Sequence, residues 1–482
     1  MQFTQIQRIL GILLMLFSTS MLPAVAVGFF YGEQAREAFI VAFLITMVAG
    51  LVIWLPARHQ RNELRTRDGY LIVVLFWLVL GLFGAVPLYL LDMPDLSIAD
   101  SVFESFSGLT TTGATVITGL DTLPRTLLYY RQQLQWFGGM GIIVLAVAIL
   151  PMLGVGGMQL YRAEMPGPLK ENKLTPRIAE TAKVLWYIYA GLTLVCALAY
   201  WAAGMSLFDA IGHSFSTVAI GGFSTHDASI GHYDSSLIEL ICILFMLISG
   251  INFALHFLAW RFRSVKSYWQ DPECRAYILI IAALFIICAV ILIHFQYYDV
   301  WTSIRYAAFQ TVSIATTTGF GVTDFSAWPT VLPFLLLYAS FIGACAGSTG
   351  GGMKVIRVLL LYKQGSRETK KLLHPHGVFP VKLGNKAVPD RVVEAVWGFC
   401  AVYVFAFAVL FLVLLGTGLD FVTAFSALTA CINNLGPGLG EVSTHYGELS
   451  STVKWILSFA MLLGRLEVFT LLVLFTPMFW RR

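Results

Sequence analysis

The 482-residue chain has little charge: only 12% of its residues are Asp, Glu, Lys or Arg, whereas 58% are hydrophobic. Soluble domains carry roughly 25% charged residues, because their surfaces must face water. The chain is long enough for several soluble domains, but it lacks the polar residues that their surfaces need. The composition therefore excludes an ordinary soluble protein and favours one embedded in a lipid bilayer.

Patterns for disulfides, metal sites and catalysis are also missing. The seven cysteines show no paired spacing and most lie in apolar runs, which argues against a disulfide framework or a zinc site. No Ser/His/Asp set or carboxylate pair suggests catalysis, and no metal-ligand spacing is shown by the histidines His213, His226, His232, His256 and His294. We therefore expect neither an enzyme nor an organic cofactor.

Long apolar runs are abundant instead. A helix needs about 20 apolar residues to cross the hydrocarbon core of a membrane. The first run, Ile9 to Phe30, could be a signal peptide, but it is long enough to span and a second run follows almost at once. The predicted spans are 9–30, 38–56, 70–91, 129–153, 184–203, 236–260, 276–296, 330–361, 393–415 and 453–477.

Four weaker segments of about 12 residues lie between these spans and mix small, hydroxylated and apolar side chains. They are too short to cross a membrane, and such lengths suit re-entrant helices that enter the bilayer and turn back. The four segments are 98–110, 207–218, 300–315 and 420–432.

Basic residues predict the orientation. Lys and Arg concentrate at Arg8 and in 58–67, 162–183, 261–275, 354–391 and 481–482, which together hold 25 of the 31 basic residues. These basic segments all lie on the same side of the membrane if the spans alternate in direction and each short segment returns to the side from which it entered. The positive-inside rule then puts both termini in the cytoplasm. A stretch such as Lys363 to Arg391 could also contact an acidic regulator or anionic lipid.

The segments assigned to the outside carry mainly acidic residues. Such residues would raise the local cation concentration, and the alternative is that they are simply tolerated there. We expect Arg131, Gln132 and Gln133, which begin a span, to be interfacial. The outer acids include Asp100, Glu104, Asp121, Asp209, Asp227, Asp234, Asp299, Asp324 and Asp420.

A glycine-centred motif follows each short segment, and we name these motifs filter loops 1 to 4. Their aligned glycines, Gly113, Gly222, Gly319 and Gly436, are 109, 97 and 117 residues apart. A single Thr-Thr-Gly is a common loop tripeptide, but four loops in the same position between spans indicate a repeat. The unit is span, pore helix, filter loop and span, used four times, with the first two spans outside it.

Glycine allows a backbone to turn its carbonyl groups toward a common axis. Carbonyl groups around an axis can replace an ion's hydration shell, as in potassium-channel filters, and Thr hydroxyls can add ligands or brace the loop. The pore helices would direct the negative ends of their dipoles at the cation. The residues expected to bind the ion are Thr111, Thr112, Gly113, Ile220, Gly221, Gly222, Thr317, Thr318, Gly319, Asn434, Leu435 and Gly436.

Span 330–361 is too long for one crossing and contains the segment 343–354, which we name the glycine-rich loop. Such dense glycine breaks a helix, and we predict a loop inside the pore that moves to let ions pass. A passive kink remains an alternative, whereas a Walker phosphate loop does not fit because Lys354 precedes Val355. The predicted gate residues are Gly347, Gly350, Gly351, Gly352, Lys354 and Arg465.

Arg465 lies in the last predicted span, where a lone charge is costly and should face the interior with partners. Its charge would oppose a cation in the same constriction, and it could hydrogen-bond to freed carbonyls of the glycine-rich loop. The alternative is a structural role, in which Arg465 pairs with Glu467 or with backbone carbonyls.

The four single-glycine filter loops, the glycine-rich break and Arg465 resemble the Trk/Ktr/HKT superfamily of potassium transporters over essentially the whole chain. Loops 1 and 3 match the Thr-Thr-Gly pattern well, and loops 2 and 4 depart from it. The resemblance implies an all-α polytopic membrane protein of the bacterial inner membrane, with a pseudo-four-fold pore in each protomer of a homodimer. It also implies uptake of K⁺, and often Rb⁺, gated by a cytosolic TrkA-type (KTN/RCK) nucleotide-binding ring. No nucleic-acid partner is expected.

The repeats divide the chain into five regions. They are 1–68 with two N-terminal helices, 69–160, 161–265, 266–391 with the glycine-rich loop, and 392–482. One glycine per loop implies fewer coordination rings, and hence weaker discrimination against Na⁺, than in true potassium channels. A Na⁺- or H⁺-coupled secondary transporter is the alternative, but such proteins usually carry intramembrane carboxylates and inverted repeats. Here acids are almost absent from the middle of the spans, and the repeats share one orientation.

Overall fold

Nearly all of the regular structure is helical. The computed structural model describes residues 1–59, 66–141, 178–329, 331–384 and 386–481. The helices before residue 142 are α1 (Phe3–Thr19), α2 (Leu22–Tyr31), α3 (Arg36–Trp54), α4 (Thr66–Gly84), α5 (Val86–Tyr89), α6 (Ile98–Leu109) and α7 (Arg125–Trp136).

The middle and last parts of the chain continue this pattern. The middle part holds α8 (Ile178–Ala202), α9 (Leu207–Ala219), α10 (Ser236–Ser249), α11 (Phe253–Phe262), α12 (Lys266–Gln270), α13 (Pro272–His294), α14 (Val300–Ala315), α15 (Leu332–Ile342) and α16 (Val355–Leu373). The last part holds a short antiparallel hairpin, β1 (Lys382–Leu383) and β2 (Lys386–Ala387), then α17 (Asp390–Gly416), α18 (Phe421–Ile432), α19 (Ser451–Arg465), α20 (Phe469–Leu472) and α21 (Pro477–Trp480).

Six stretches within the described residues are long and apolar enough to cross a membrane, and each overlaps a predicted span. They are Phe3–Tyr31, Arg36–Ala57, Arg67–Tyr89, Lys183–Ala202, Pro272–His294 and Asp390–Gly416. Several predictions fall partly outside the described residues, namely the end of span 129–153, most of the basic loop 162–183 and much of segment 58–67.

Two predicted spans are bent, which corrects the prediction of single helices over 236–260 and 453–477. The first consists of α10 and α11 at 94°, and the second bends by 106° between α19 and the segment Phe469–Phe475. At the first bend, the side chain of Asn252 accepts a hydrogen bond from the Ala254 N–H (2.9 Å) and so caps a new helix. At the second bend, Glu467 and Val468 have φ values of 51° and 41°, which end a helix.

The long predicted span 330–361 is interrupted as expected. Helix α15 ends at Ile342, the glycine-rich loop follows, and α16 begins at Val355. Gly343, Gly347 and Gly352 have φ values of 66°, 74° and 72°. Residues with a Cβ rarely adopt this left-handed conformation, so the glycines account for the break.

Each of the four short segments folds into a helix that starts at a side-chain cap. Ser97 and Ser206 accept hydrogen bonds from the N–H groups of Asp100 (3.2 Å) and Asp209 (3.1 Å) at the starts of α6 and α9. Asp299 and Asp420 cap α14 and α18 in the same way. These caps satisfy backbone donors that the first turn leaves unpaired, so the segments begin where the sequence supplies Ser or Asp.

The buried apolar side chains of the described residues form two large clusters. One cluster joins helices α1–α7 to α17–α21, and it includes the buried residues Phe17, Trp77 and Phe103. The other joins helices α8–α16 around Tyr189, Tyr277 and Phe309. The two N-terminal helices therefore pack on the side of the molecule that carries α6 and α18.

Candidate functional site

The four filter glycines meet in one closed ring. A methyl group placed on each glycine would touch the carbonyl oxygen of the residue just before the next filter glycine. The contacts are Gly113 to Gly221 (2.1 Å), Gly222 to Thr318 (2.1 Å), Gly319 to Leu435 (2.1 Å) and Gly436 to Thr112 (2.7 Å). Loop 1 thus meets loop 2, loop 2 meets loop 3, loop 3 meets loop 4, and loop 4 returns to loop 1.

All four loops share one backbone pattern. The filter glycines have φ values of 81°, 79°, 83° and 100° in chain order. The residue two positions earlier is also left-handed in every loop, with φ of 56° at Thr111, 55° at Ile220, 68° at Thr317 and 54° at Asn434. Four non-glycine residues in this strained region indicate that the surrounding protein holds the loops in place.

The N–H groups of the loops point back to the pore helices. The residue before each filter glycine donates to the carbonyl five positions earlier, at Ser107 (2.8 Å), Ser216 (2.8 Å), Ser313 (2.7 Å) and Ala430 (2.7 Å). This repeated hydrogen bond ties each loop to the end of its own helix. Those helix ends carry partial negative charge, so the site is electrostatically suited to a cation.

Side-chain hydrogen bonds stabilise loops 1 and 3 in one way and loop 4 in another. In loops 1 and 3, the hydroxyls of Thr110 and Thr112 (2.8 Å) and of Thr316 and Thr318 (2.7 Å) are hydrogen-bonded to each other. In loop 4, the Asn434 amide donates to the Thr112 hydroxyl (3.0 Å) and so links loop 4 to loop 1. Of the two roles predicted for the Thr hydroxyls, ion ligand or brace, the structure shows these hydroxyls bracing the loops.

Helix α7 supports loop 2 from behind. Gln135 donates to the Gly221 carbonyl (2.5 Å) and accepts from the Phe223 N–H (3.0 Å). Gln132 donates to the Phe223 carbonyl (3.2 Å). The interfacial placement expected for Gln132 and Gln133 is wrong, because both side chains are buried. The sequence signal that could have indicated this buried role was the run of polar residues at the start of an apolar span.

Arg131 and Glu104 are also buried, which corrects their assignment to the interface and the outer surface. Arg131 Nε lies 2.7 Å from Glu104 Oε1, and the two side chains are 1% and 0% exposed. Arg131 also donates to Thr115 Oγ1 (3.0 Å) and the Ser224 carbonyl (3.3 Å), which join the outer ends of loops 1 and 2. The pair links the first two repeats beside the ring.

Replacing Arg131 with Met should destabilise the protein by about 3–5 kcal/mol, because Glu104 would stay buried without a cationic partner. Thermal unfolding of the purified protein in detergent measures this. Lys371→Met is the matched control, since Lys371 pairs with Glu368 at the surface, where a pair contributes about 1 kcal/mol or less. Equal, small shifts in both variants would contradict a structural role for the buried pair.

The glycine-rich loop lies directly against the filter loops and the ends of the pore helices. The Gly351 N–H donates to Thr317 Oγ1 (2.7 Å), and the Gly352 N–H donates to the Asn433 carbonyl (3.1 Å). Thr349 donates to the Val218 carbonyl at the end of α9 (3.0 Å). The loop therefore contacts repeats 2, 3 and 4 on the side where the pore helices end.

Close packing explains the need for glycine in this loop. A methyl group on Gly351 would stand 2.0 Å from the Asn433 carbonyl oxygen, and one on Gly350 would stand 2.6 Å from the Ala344 side chain. Gly347 lies elsewhere, because its carbonyl accepts from the Phe253 N–H (3.0 Å) at the bend between α10 and α11. Of the predicted gate glycines, Gly350, Gly351 and Gly352 therefore lie next to the ring, whereas Gly347 lies at the bend between α10 and α11.

A buried carboxylate joins the two ends of the glycine-rich loop. Glu273 Oε1 accepts hydrogen bonds from the N–H groups of Ala346 (2.7 Å) and Ile356 (3.1 Å). Lys354 has φ of 78° and its ammonium donates to the Gly350 carbonyl within the loop. The loop is therefore held in a folded shape by its own residues and by α13.

Arg465 connects the glycine-rich loop to repeat 1. Its guanidinium donates to the Thr349 carbonyl (3.3 Å), Thr111 Oγ1 (3.3 Å) and the Gly139 carbonyl (2.8 Å). The expected hydrogen bond to a carbonyl of this loop is present. Glu467 pairs with Arg357 of α16, which disfavours the alternative of an Arg465–Glu467 pair.

Outside the ring, three metal-ligating side chains come together, which the sequence spacing had not predicted. One ligand atom each from Asp121, His226 and His232 lies within 4.8 Å of the others. Burial alone would lower the pKa of His226, but the carboxylates of Asp209 and Asp121 raise it above its usual value. These residues lie 105 and 111 positions apart along the chain, so no local motif could reveal the cluster.

Comparison with known proteins gives consistent matches over the whole length. The chain is 61% identical to the Trk system potassium uptake protein TrkH of Halomonas elongata over 482 residues, with 100% of both chains covered. It is 43% identical to the Trk system potassium uptake protein TrkG of Escherichia coli over 471 residues, covering 98% of this chain and 97% of that protein.

Structural comparison agrees with the sequence matches. The crystal structure of the potassium transporter TrkH from Vibrio parahaemolyticus superimposes with a TM-score of 0.91 at 55% identity, covering 100% of both chains. This match confirms the predicted all-α polytopic membrane fold. The family model for TrkH, described as a cation transport protein, matches residues 35–482. The chain therefore belongs to the TrkH family of cation transport proteins, a family of membrane transporters and not of enzymes.

Proposed function

We propose that this chain takes up potassium across the bacterial inner membrane as the pore-forming subunit of a Trk system. The observation that carries the proposal is the closed ring in which each filter glycine abuts the carbonyl of the next loop. The names of the relatives, Trk system potassium uptake proteins, support K⁺ as the transported ion. K⁺ is here the cargo, and no organic cofactor is required.

The ion-binding surface in this proposal consists of backbone carbonyls at the ring. Carbonyls from four loops replace water around a dehydrated K⁺ or Rb⁺, and the dipoles of the pore helices add negative potential. The four span–pore helix–filter loop–span units then surround one pseudo-four-fold axis, within the regions 69–160, 161–265, 266–391 and 392–482. A single ring favours weaker discrimination against Na⁺ than a stack of rings provides.

The glycine-rich loop and Arg465 act as the gate. The loop occupies the inner side of the ring, and Arg465 places a positive charge between the loop and Thr111. A cation moving inward from the ring meets both, so the described arrangement corresponds to a closed pore. Opening requires three hydrogen bonds to break together, namely those of Gly351 to Thr317, of Gly352 to Asn433 and of Thr349 to Val218.

A cytosolic regulator has a direct mechanical route to this gate. Helix α16 begins where the glycine-rich loop ends and continues into the basic segment with the β1–β2 hairpin. A TrkA-type (KTN/RCK) ring bound to this segment would move the loop through α16. In the orientation predicted from the basic residues, this segment lies in the cytoplasm, and a homodimer in the bilayer completes the proposed assembly.

Uptake of ⁸⁶Rb⁺ into liposomes that contain the purified chain tests the proposal. We expect uptake driven by the Rb⁺ gradient alone, competition by K⁺ and weaker competition by Na⁺. Liposomes without protein provide the background. Uptake that occurs only with an added Na⁺ or H⁺ gradient would contradict the passive pore and favour a coupled transporter.

A further inference from the structure

The cluster of Asp121, His226 and His232 lies on the loops that follow filter loops 1 and 2. Asp121 belongs to a short helical turn, Leu120–Thr122, and His226 and His232 flank the start of a second turn, Ser229–Tyr233. The His226 N–H donates to Ser224 (3.1 Å), two residues beyond Gly222. The positive-inside orientation puts this cluster at the outer mouth of the pore.

We infer that Asp121, His226 and His232 form an external binding site for a divalent transition metal such as Zn²⁺, and that its occupancy slows cation uptake. Two imidazoles and one carboxylate are ligands that Zn²⁺ takes readily, with water in the fourth position. The hard ions Mg²⁺ and Ca²⁺ prefer all-oxygen sites, so the two imidazoles select against them.

The three side chains lie close enough to share one ion, with one ligand atom of each within 4.8 Å of the others and His226 Nδ1 facing the Asp121 carboxylate. The imidazoles of His226 and His232 are stacked, parallel within 2° with centroids 3.6 Å apart, so binding requires the exposed His232 ring to turn out of the stack until its nitrogen points at the ion. Metal binding would replace the proton between Nδ1 and that carboxylate. His226 is half-buried and His232 exposed, so the site is held by the protein and open to solvent.

A second carboxylate stands on the far side of His226. Asp209 Oδ1 lies 3.6 Å from His226 Nε2, and the carboxylate is itself fixed by hydrogen bonds from Thr225 (2.7 Å) and Ser206 (2.7 Å). Ligating histidines commonly present their other ring nitrogen to a carboxylate, which sets the tautomer and the ring orientation. Asp209 would play this positioning role here.

The position of the site explains its effect on transport, and this part rests on the proposed function. A bound metal would tie the outer loop of repeat 1 to that of repeat 2. It would also place a double positive charge among acids that otherwise attract cations to the mouth. Both effects lower the rate at which K⁺ reaches the ring.

Zn²⁺ binding to the purified full-length chain, prepared without a polyhistidine tag, tests the site independently of transport. Competition with a chromophoric chelator should show one site per chain, with its Kd raised at least about tenfold by His226→Gln or His232→Gln. His294→Gln is the matched control, because His294 is an exposed histidine on a helix end outside the cluster. Unchanged affinity in both cluster variants, or no one-to-one binding, would overturn the proposal.

The same liposomes used for Rb⁺ uptake report the consequence. External Zn²⁺ should slow uptake by the unsubstituted chain and by His294→Gln, but not by His232→Gln. His232 is exposed, so this variant should fold normally, which size-exclusion chromatography checks. Equal Zn²⁺ sensitivity in all three proteins would overturn the inhibitory role. Absence of uptake without Zn²⁺ would instead count against the proposed function and leave the binding result intact.

Discussion

Gly319→Ala should lower Rb⁺ uptake about tenfold to a hundredfold, because the new methyl group would stand 2.1 Å from the Leu435 carbonyl oxygen. That oxygen belongs to the ring, so relief of the clash must displace either loop 3 or loop 4. The φ value of 83° adds strain of about 1–3 kcal/mol for a residue with a Cβ. A tenfold loss of rate requires the transport barrier to rise by only about 1.4 kcal/mol, so a small displacement of the ring carbonyls suffices. The backbone strain adds a cost to the stability of the fold.

Gly321→Ala provides the matched control for this experiment. Gly321 lies two residues further along the same loop, and the nearest atom to an added methyl group is the Thr323 carbonyl oxygen at 4.0 Å. We expect near-normal uptake by this variant. Equal uptake by both variants would show that the ring does not limit transport, whereas loss of folded Gly319→Ala protein on size exclusion would direct the test to Gly113→Ala.

Arg465→Ala should raise Rb⁺ uptake by the isolated chain about tenfold, because the substitution removes both a positive charge and an anchor of the glycine-rich loop. Two unit charges about 4 Å apart interact by about 4 kcal/mol at an effective dielectric constant near 20. Loss of even a third of this repulsion is enough for a tenfold change in rate. The loop would also lose the hydrogen bond at the Thr349 carbonyl.

Arg465→Lys separates charge from bracing. Lysine keeps the positive charge but cannot reproduce the hydrogen bonds that the guanidinium makes to Thr111, Thr349 and Gly139 at the same time. Low basal uptake by Arg465→Lys together with high uptake by Arg465→Ala indicates that the charge forms the barrier. Reduced uptake by both folded variants would contradict the gate and leave Arg465 as a structural residue.

The short pore helices were predictable because their signals are local. Segments predicted at 98–110, 207–218, 300–315 and 420–432 fold as Ile98–Leu109, Leu207–Ala219, Val300–Ala315 and Phe421–Ile432. Each begins after a Ser or Asp whose side chain accepts hydrogen bonds from the first turn. The glycine-rich break was equally visible, since a helix cannot absorb so many glycines without interruption.

The two bent spans were not predictable from apolar length. Their composition satisfies the length rule for a crossing, and the residues at each bend give only weak turn signals. The bend between α10 and α11 is held by the hydrogen bond from Phe253 to Gly347, a contact between residues 94 positions apart. Such a contact exists only after the glycine-rich loop has taken its place.

The buried polar groups escaped prediction for a related reason. Arg131, at the start of an apolar span, has the pattern of an interfacial residue, and Glu104 has the pattern of an outer acid. Burial becomes favourable only because the two are 2.7 Å apart, and because Thr115 and Ser224 accept further hydrogen bonds from Arg131. The histidine cluster likewise depends on two loops from different repeats.

The sequence by itself determined the membrane class, the apolar spans, the short capped helices and the four glycine positions, because each depends on composition or on residues within a few positions. Only the tertiary structure decided that the glycines close into one ring, and that the glycine-rich loop and Arg465 lie against it. It also decided that Asp121, His226 and His232 meet. These arrangements join segments that lie far apart along the chain, up to 354 positions for Arg465 and Thr111, and no local preference of the chain specifies which of them come into contact.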